Sequence, residues 1–243
     1  MLRALRFSDS HLFSTAHNCY STGFLSGYWR AGPADSGMEL NMHVGSVAQA
    51  IDSLETSGFA VIDDAAGASV AKALGQVGCS SELRAASANE AAPWTLSNKY
   101  GRGAFPWHTD GAISSSPPRW IMLRPLVFSS RTSTWLLDPD DELLSRLRRA
   151  VLRAQDHAGR ARYLPGFIAL PPPLRHRIRW DPRTCTPTTP GLGVYIEAQP
   201  PSAVVEWHLG QTLVFDNLRM LHRRPDVETV SQRELERNYI WSE

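Results

Sequence analysis

The sequence predicts a mainly β fold with flanking helices, arranged as a double sheet of jelly-roll type. Three observations carry that expectation. Two helical segments come early, short β-like runs punctuated by Gly and Pro fill the chain from residue 94 onward, and one further helix interrupts them. At 243 residues the chain is long enough for one domain with a complete core. It is therefore read as a single unit over 1–243, with a variable helical or irregular part over 1–93 and a jelly-roll core over 94–243.

Residues 1–44 are rich in Ser, Gly and His and lack periodicity, so they predict no regular element. A helix is expected from Ser46, with Gly58 as its stop signal, followed by a short buried strand over 59–62. A second, Ala-rich helix is expected over 68–77, closing near Gly78. The β-like runs are 94–97, 120–123, 132–137, 175–180, 203–207, 212–215 and 238–241. The interrupting helix is placed over 139–155. Acids at Asp138, Asp140, Asp141 and Glu142 precede Leu and Val at helical spacing with Arg between them, an order that suits the helix dipole. Those arginines read as a solvated face. The triple proline at 171–173 and the stretch 181–190 read as loops.

A net charge of +1 argues against a nucleic-acid binder that relies on bulk electrostatics. No apolar run approaches the roughly 20 residues of a membrane helix, and the first residues lack the pattern of a secretory signal. The three cysteines, Cys19, Cys79 and Cys185, form no CxxC pair and suggest neither a disulfide framework nor a thiolate metal site. The expectation is a cytoplasmic protein with no membrane or nucleic-acid partner.

The segment 105–111 carries the first chemical signal. On an extended backbone His108 and Asp110 face the same way, so an imidazole and a carboxylate can converge on one ion. Together they supply two-thirds of a 2-His-1-carboxylate triad, the set that leaves open positions on ferrous iron. A lone His-x-Asp is more often a turn or surface hydrogen bond. A strand ending at Asp216-Asn217 then leads through a short turn to His222, a candidate third ligand, with a turn cap as the alternative. Arg233 follows eleven residues later. A guanidinium offers a planar, bidentate and permanently charged match for a carboxylate, although most arginines lie on the surface.

In this order and spacing, the segments resemble the taurine dioxygenase / γ-butyrobetaine dioxygenase superfamily of Fe(II)/2-oxoglutarate oxygenases, from about Ser97 to the end of the chain. The resemblance implies a double-stranded β-helix core. It also implies metal ligation by His108 and Asp110 (with Thr109 between them) and by His222, the last within the motif of Asp216, Asn217 and Arg219. Arg233, with Leu235 and Tyr239, matches the arm that binds 2-oxoglutarate. Thr134 matches a threonine that touches the same carboxylate, although the family's paired glycines beside it are missing here. Arg237 falls where taurine dioxygenase-like members face an anionic substrate; an ion pair with Glu234 is the alternative. Because halogenases of the family lack the carboxylate that Asp110 supplies, chlorination is not expected.

The resemblance thus implies a dioxygenase that uses Fe(II), 2-oxoglutarate and O2 on a small-molecule or natural-product substrate and releases succinate and CO2. Hydroxylation is the default outcome, with desaturation, cyclisation or epimerisation also open. Asn98, Tyr100, Trp107, Arg179 and Trp180 are the candidate pocket residues beside the motifs. The competing readings are a non-haem metalloenzyme that does not use 2-oxoglutarate, and a non-catalytic jelly-roll binding protein.

Overall fold

The computed structural model describes residues 43–129, 132–172, 174–227 and 232–242; apart from positions 43 and 44, the expectation for residues 1–44 lies outside them. The first helix is Val47–Ser57. Ser46 caps it by accepting from the Gln49 N–H, and Gly58, at φ 80°, closes it with its own N–H on the Leu54 carbonyl. The strand Phe59–Asp63 follows. The second helix is Asp64–Leu74, earlier than the expected 68–77. Asp64 supplies the acid of its first turn, and Gly75 ends it at a φ of 139° that other residues rarely adopt.

The larger sheet has seven strands. In spatial order they are His43–Val44, Phe59–Asp63, Gln211–Asp216, Trp120–Phe128, Arg233–Trp241 and Gln76–Val77, with Ser81–Arg84 also paired to Arg233–Trp241. Four of these strands come from residues 43–93, where the sequence predicted one strand, over 59–62, and otherwise helical or irregular chain. Pairings across so much chain leave no local trace: Ser81–Arg84 meets Arg237 to Glu234 from the far end. Expected runs also lengthen. Trp120–Phe128 continues through Pro125, opposite which the register slips between Glu234 and Leu235, since proline has no N–H to give.

A three-stranded sheet, in the order Ala203–Glu206, Ser133–Leu137, Leu221–Arg223, forms the second layer. Strand alternation builds the core between the layers. Ile121, Leu123, Leu213, Phe215 and Leu235 pack with Leu136, Val205 and Trp207, while Trp120, Met122, Val214 and Ile240 turn the other way onto Ala50, Leu54, Val70 and Ala71 of the two helices. The result is the expected double sheet with helices on its outer face.

Three further expectations change. Residues 94–97 are not a strand; Thr95 accepts from the Asn98 N–H and caps the short helix Leu96–Tyr100. The helix expected over 139–155 ends at Arg149, and Val151–Gln155 is a strand. In that strand Leu152 and Ala154 are buried while Val151, Arg153 and Gln155 are exposed, the period of two that the helical reading overlooked. Arg146, Arg148 and Arg149 do form an exposed face. Within the expected loop 181–190, Cys185–Pro187 pairs with Val151–Gln155. No helix among the described residues is long and apolar enough to cross a membrane.

Candidate active site

His108 and His222 sit opposite each other on two antiparallel segments. Each donates its backbone N–H to the other's carbonyl, at 3.1 and 2.9 Å, so their rings lie side by side with centroids 4.1 Å apart. The sequence arranges both approaches. Asp216 is the last residue of Gln211–Asp216, and its carboxylate accepts from the Leu218 and Arg219 N–H groups, tightening the turn that returns the chain to His222. The Asn217 amide ties this turn to the first motif. Its Oδ1 accepts from the Asp110 N–H at 2.8 Å, and its Nδ2 donates to the carbonyls of Asp110 and Pro118. Asn217 is 1% exposed. Asn217→Ala would strand these groups and is expected to cost about 2–3 kcal/mol of stability, read as a lowered urea midpoint at unchanged slope.

The ligating atoms point inward. The Nδ1 of His108 is 3.0 Å from the Pro106 carbonyl; an N–H there fixes the tautomer that leaves the Nε2 lone pair free. Both Nε2 atoms face Asp110 Oδ1, at 3.7 Å from His108 and 3.9 Å from His222. All three donors lie within 4.8 Å of one another, and this is the one such His/Asp cluster found among the described residues. Burial, with help from His108, pushes the His222 imidazole down to about 3, so it is neutral at ordinary pH. Burial would raise the Asp110 carboxyl, but His222, Arg237, His108 and the Tyr239 hydroxyl outweigh it and hold it well below the usual carboxylate range. Two imidazoles and one carboxylate are a donor set that suits a divalent transition metal.

Beside the cluster opens a cavity of about 450 Å³. Arg233 and Thr134 line it with the three candidate ligands. Arg233 is 6% exposed, its Nε has no partner, and its Nη2 lies 3.5 Å from Thr134 Oγ1. Burial and the neighbouring Arg224 guanidinium push it down to about 9, which still leaves it charged at neutral pH. Thr134 Oγ1 accepts from the Trp207 indole N–H at 3.2 Å as well. With both lone pairs taken, its hydroxyl proton is left to donate to an incoming acceptor. A larger cavity, about 570 Å³, lies by the first two helices and Arg119, away from the cluster.

Other expected pocket residues lie elsewhere. Trp107 is fully buried in a separate core cluster, with its indole N–H on the Gln199 carbonyl. Asn98 points to the Ala88 carbonyl from an exposed helix turn. Arg179 donates to the carbonyls of Ala112 and Ser114, and Trp180 belongs to the same core as Trp107. Neither these four nor Tyr100 lines the cavity around the cluster. Arg237 lines it but donates to Asp110 Oδ2 at 3.1 Å, and Glu234 pairs with Arg84 instead.

The sequence reading missed Trp94, Arg183 and Arg224, all of which line the cavity. Arg224 is buried over the Phe105 ring and donates to the carbonyls of Gly101 and Gly103. Trp94 is 65% exposed and sits at φ 67°, and its carbonyl accepts from Arg183. Such a backbone costs about 1–2 kcal/mol, and strain of this kind collects at functional sites. Only the proximity of Arg224 to His222 was a usable signal.

No family model matches the sequence, and no curated protein matches it. Solved structures do. An asparagine oxygenase, crystallised with Fe(II), 3-hydroxyasparagine and succinate, aligns with a TM-score of 0.62 at 14% identity, over 80% of this chain and 78% of that one. A taurine dioxygenase from Burkholderia xenovorans gives 0.59 at 16% identity over 81% of each chain. PvcB, an Fe, α-ketoglutarate-dependent oxygenase from an isonitrile synthetic pathway, gives 0.57 at 17% identity over 82% of each. At these identities the likeness is one of fold: the chain has the jelly-roll fold of the taurine dioxygenase-like Fe(II)/2-oxoglutarate oxygenases.

Proposed function

We propose that this protein is an Fe(II)/2-oxoglutarate-dependent dioxygenase acting on a small molecule. One observation carries the reading: a buried guanidinium with no acid partner among the described residues and a hydroxyl with one proton to give share a cavity with a two-histidine, one-carboxylate cluster. A metal alone explains the cluster and leaves Arg233 unexplained. A dicarboxylate that reaches the metal with its keto-acid end and Arg233 with the other accounts for both.

The residues present fit such a pair. His108, Asp110 and His222 hold the metal on one side. Arg233 forks onto the distal carboxylate and Thr134 donates to it. Fe(II), 2-oxoglutarate and O2 together supply the oxidation of a substrate C–H bond, with succinate and CO2 as co-products. Phe105, Leu96 and Trp94 are among the apolar side chains that line the rest of the cavity. Hydroxylation is the outcome we favour, as the default result of this chemistry. The cytoplasm is the compartment we favour, where the free thiols of Cys79 and Cys185 stay reduced.

Anaerobic addition of Fe(II) and 2-oxoglutarate tests the reading. A weak visible charge-transfer band is expected for the wild type, and neither component alone should produce it. A protein that binds Fe(II) tightly yet shows no change on adding 2-oxoglutarate would rule the proposal out. A metabolite screen scored by succinate release then finds the substrate.

A further inference from the structure

Asp110 uses its two oxygens differently. Oδ1 faces both imidazole Nε2 atoms, at 3.7 and 3.9 Å. Oδ2 is turned away and accepts two hydrogen bonds, from the Tyr239 hydroxyl at 2.7 Å and from Arg237 Nη1 at 3.1 Å. Both donors come from the strand Arg233–Trp241, two residues apart and therefore on one face, the face that also carries Arg233. The acids of the same strand are engaged elsewhere: Glu236 pairs with Arg124 and Glu234 with Arg84. Arg237 thus has Asp110 as its carboxylate, and its guanidinium lies over the Tyr239 ring, 4.5 Å from the centroid, which holds both donors in register.

We propose that Arg237 and Tyr239 are positioning residues that clamp Asp110 Oδ2, so that the carboxylate meets the metal through Oδ1 alone. The inference rests on the metal site proposed above and goes beyond it, because it takes Arg237 away from the substrate and gives Tyr239 a role. The physical reason lies in the two jobs of a buried carboxylate. Either oxygen is an equally good ligand, so an unrestrained side chain can rotate or chelate through both, filling a position that the co-substrate needs. Two donors on one oxygen, one of them charged, remove that freedom before the metal arrives. The clamp also sits on the strand that bears Arg233, so a single element sets the orientation of the metal ligand and of the co-substrate anchor.

Cobalt(II), whose visible bands report coordination number, tests this without turnover. Titrated at fixed pH, Tyr239→Phe and Arg237→Gln are each expected to bind Co(II) about 10- to 100-fold more weakly than wild type and to show altered d–d bands. Glu236→Gln, on the opposite face of the same strand, should bind as wild type and exposes any general loss of structure. His108→Ala should bind none. If His108→Ala loses the metal while Tyr239→Phe and Arg237→Gln keep wild-type affinity and spectrum, the clamp is refuted and the metal site stands. If only one of the two weakens binding, or Glu236→Gln weakens it equally, the shared clamp is likewise refuted. If His108→Ala still binds Co(II) normally, the metal site itself is misassigned and both readings fall.

Discussion

Arg233→Ala is expected to weaken 2-oxoglutarate binding by about 100- to 1,000-fold, roughly 3–4 kcal/mol, while Fe(II) affinity stays within a few-fold of wild type. The asymmetry follows from what surrounds the side chain. Arg233 is buried, no acid among the described residues pairs with it, and its electrostatic neighbour is another cation, Arg224. An incoming carboxylate is the group that would neutralise it, and removing Arg233 would leave that carboxylate without its bidentate partner. Arg233→Lys should recover only part of the loss, because a point charge lacks the planar fork. Equilibrium dialysis with labelled 2-oxoglutarate on the metal-loaded protein reads the effect. Equal losses of metal and co-substrate would contradict the assigned role.

His222→Ala is expected to abolish metal-dependent turnover, and the cause should be lost metal rather than lost fold. The imidazole is neutral and its Nε2 faces Asp110 Oδ1, so truncation leaves two ligands for an ion that needs three. The backbone pairing between positions 108 and 222 does not depend on the ring, and the neighbouring Phe215 can relax into the space. Bound iron measured after desalting should fall to background while the far-UV spectrum is unchanged. The Nδ1 of His222 is buried and has no hydrogen-bond partner among the described residues, so the ring has none there to lose.

Much of the site was legible in the sequence because its spacing is dictated by local geometry. His108 and Asp110 are two residues apart on extended backbone, and His222 follows a turn that begins at Asp216-Asn217. What stayed hidden is what depends on remote pairing. The sequence reads Arg237 as facing an anionic substrate or pairing with Glu234, yet strand Arg233–Trp241 brings it to Asp110 across more than half the chain. Trp107 looked like a pocket aromatic because it precedes His108, but alternation sends it into the core behind the metal motif. The same limit applies to the fold. The helix Val47–Ser57 announces both its caps, whereas Ser81–Arg84 carries no apolar alternation strong enough to declare a strand and depends on its partner. The overlong helix at 139–155 failed for another reason: Val151 continues the helical spacing of Leu143 and Leu147, yet it is exposed, and Ala150, at φ −83° and ψ 130°, marks where the backbone switches.

The position of Phe59–Asp63 next to Gln211–Asp216 bears on how this protein can be dissected. Every candidate ligand lies beyond residue 107, so a shortened version that begins near 94 looks chemically complete. Such a fragment would strip the cover from one long side of Gln211–Asp216, six consecutive buried residues, and leave its amides and carbonyls open to a neighbouring molecule. The strand Phe59–Asp63 is thus the sheath that keeps the part bearing the candidate ligands from sticking to copies of itself.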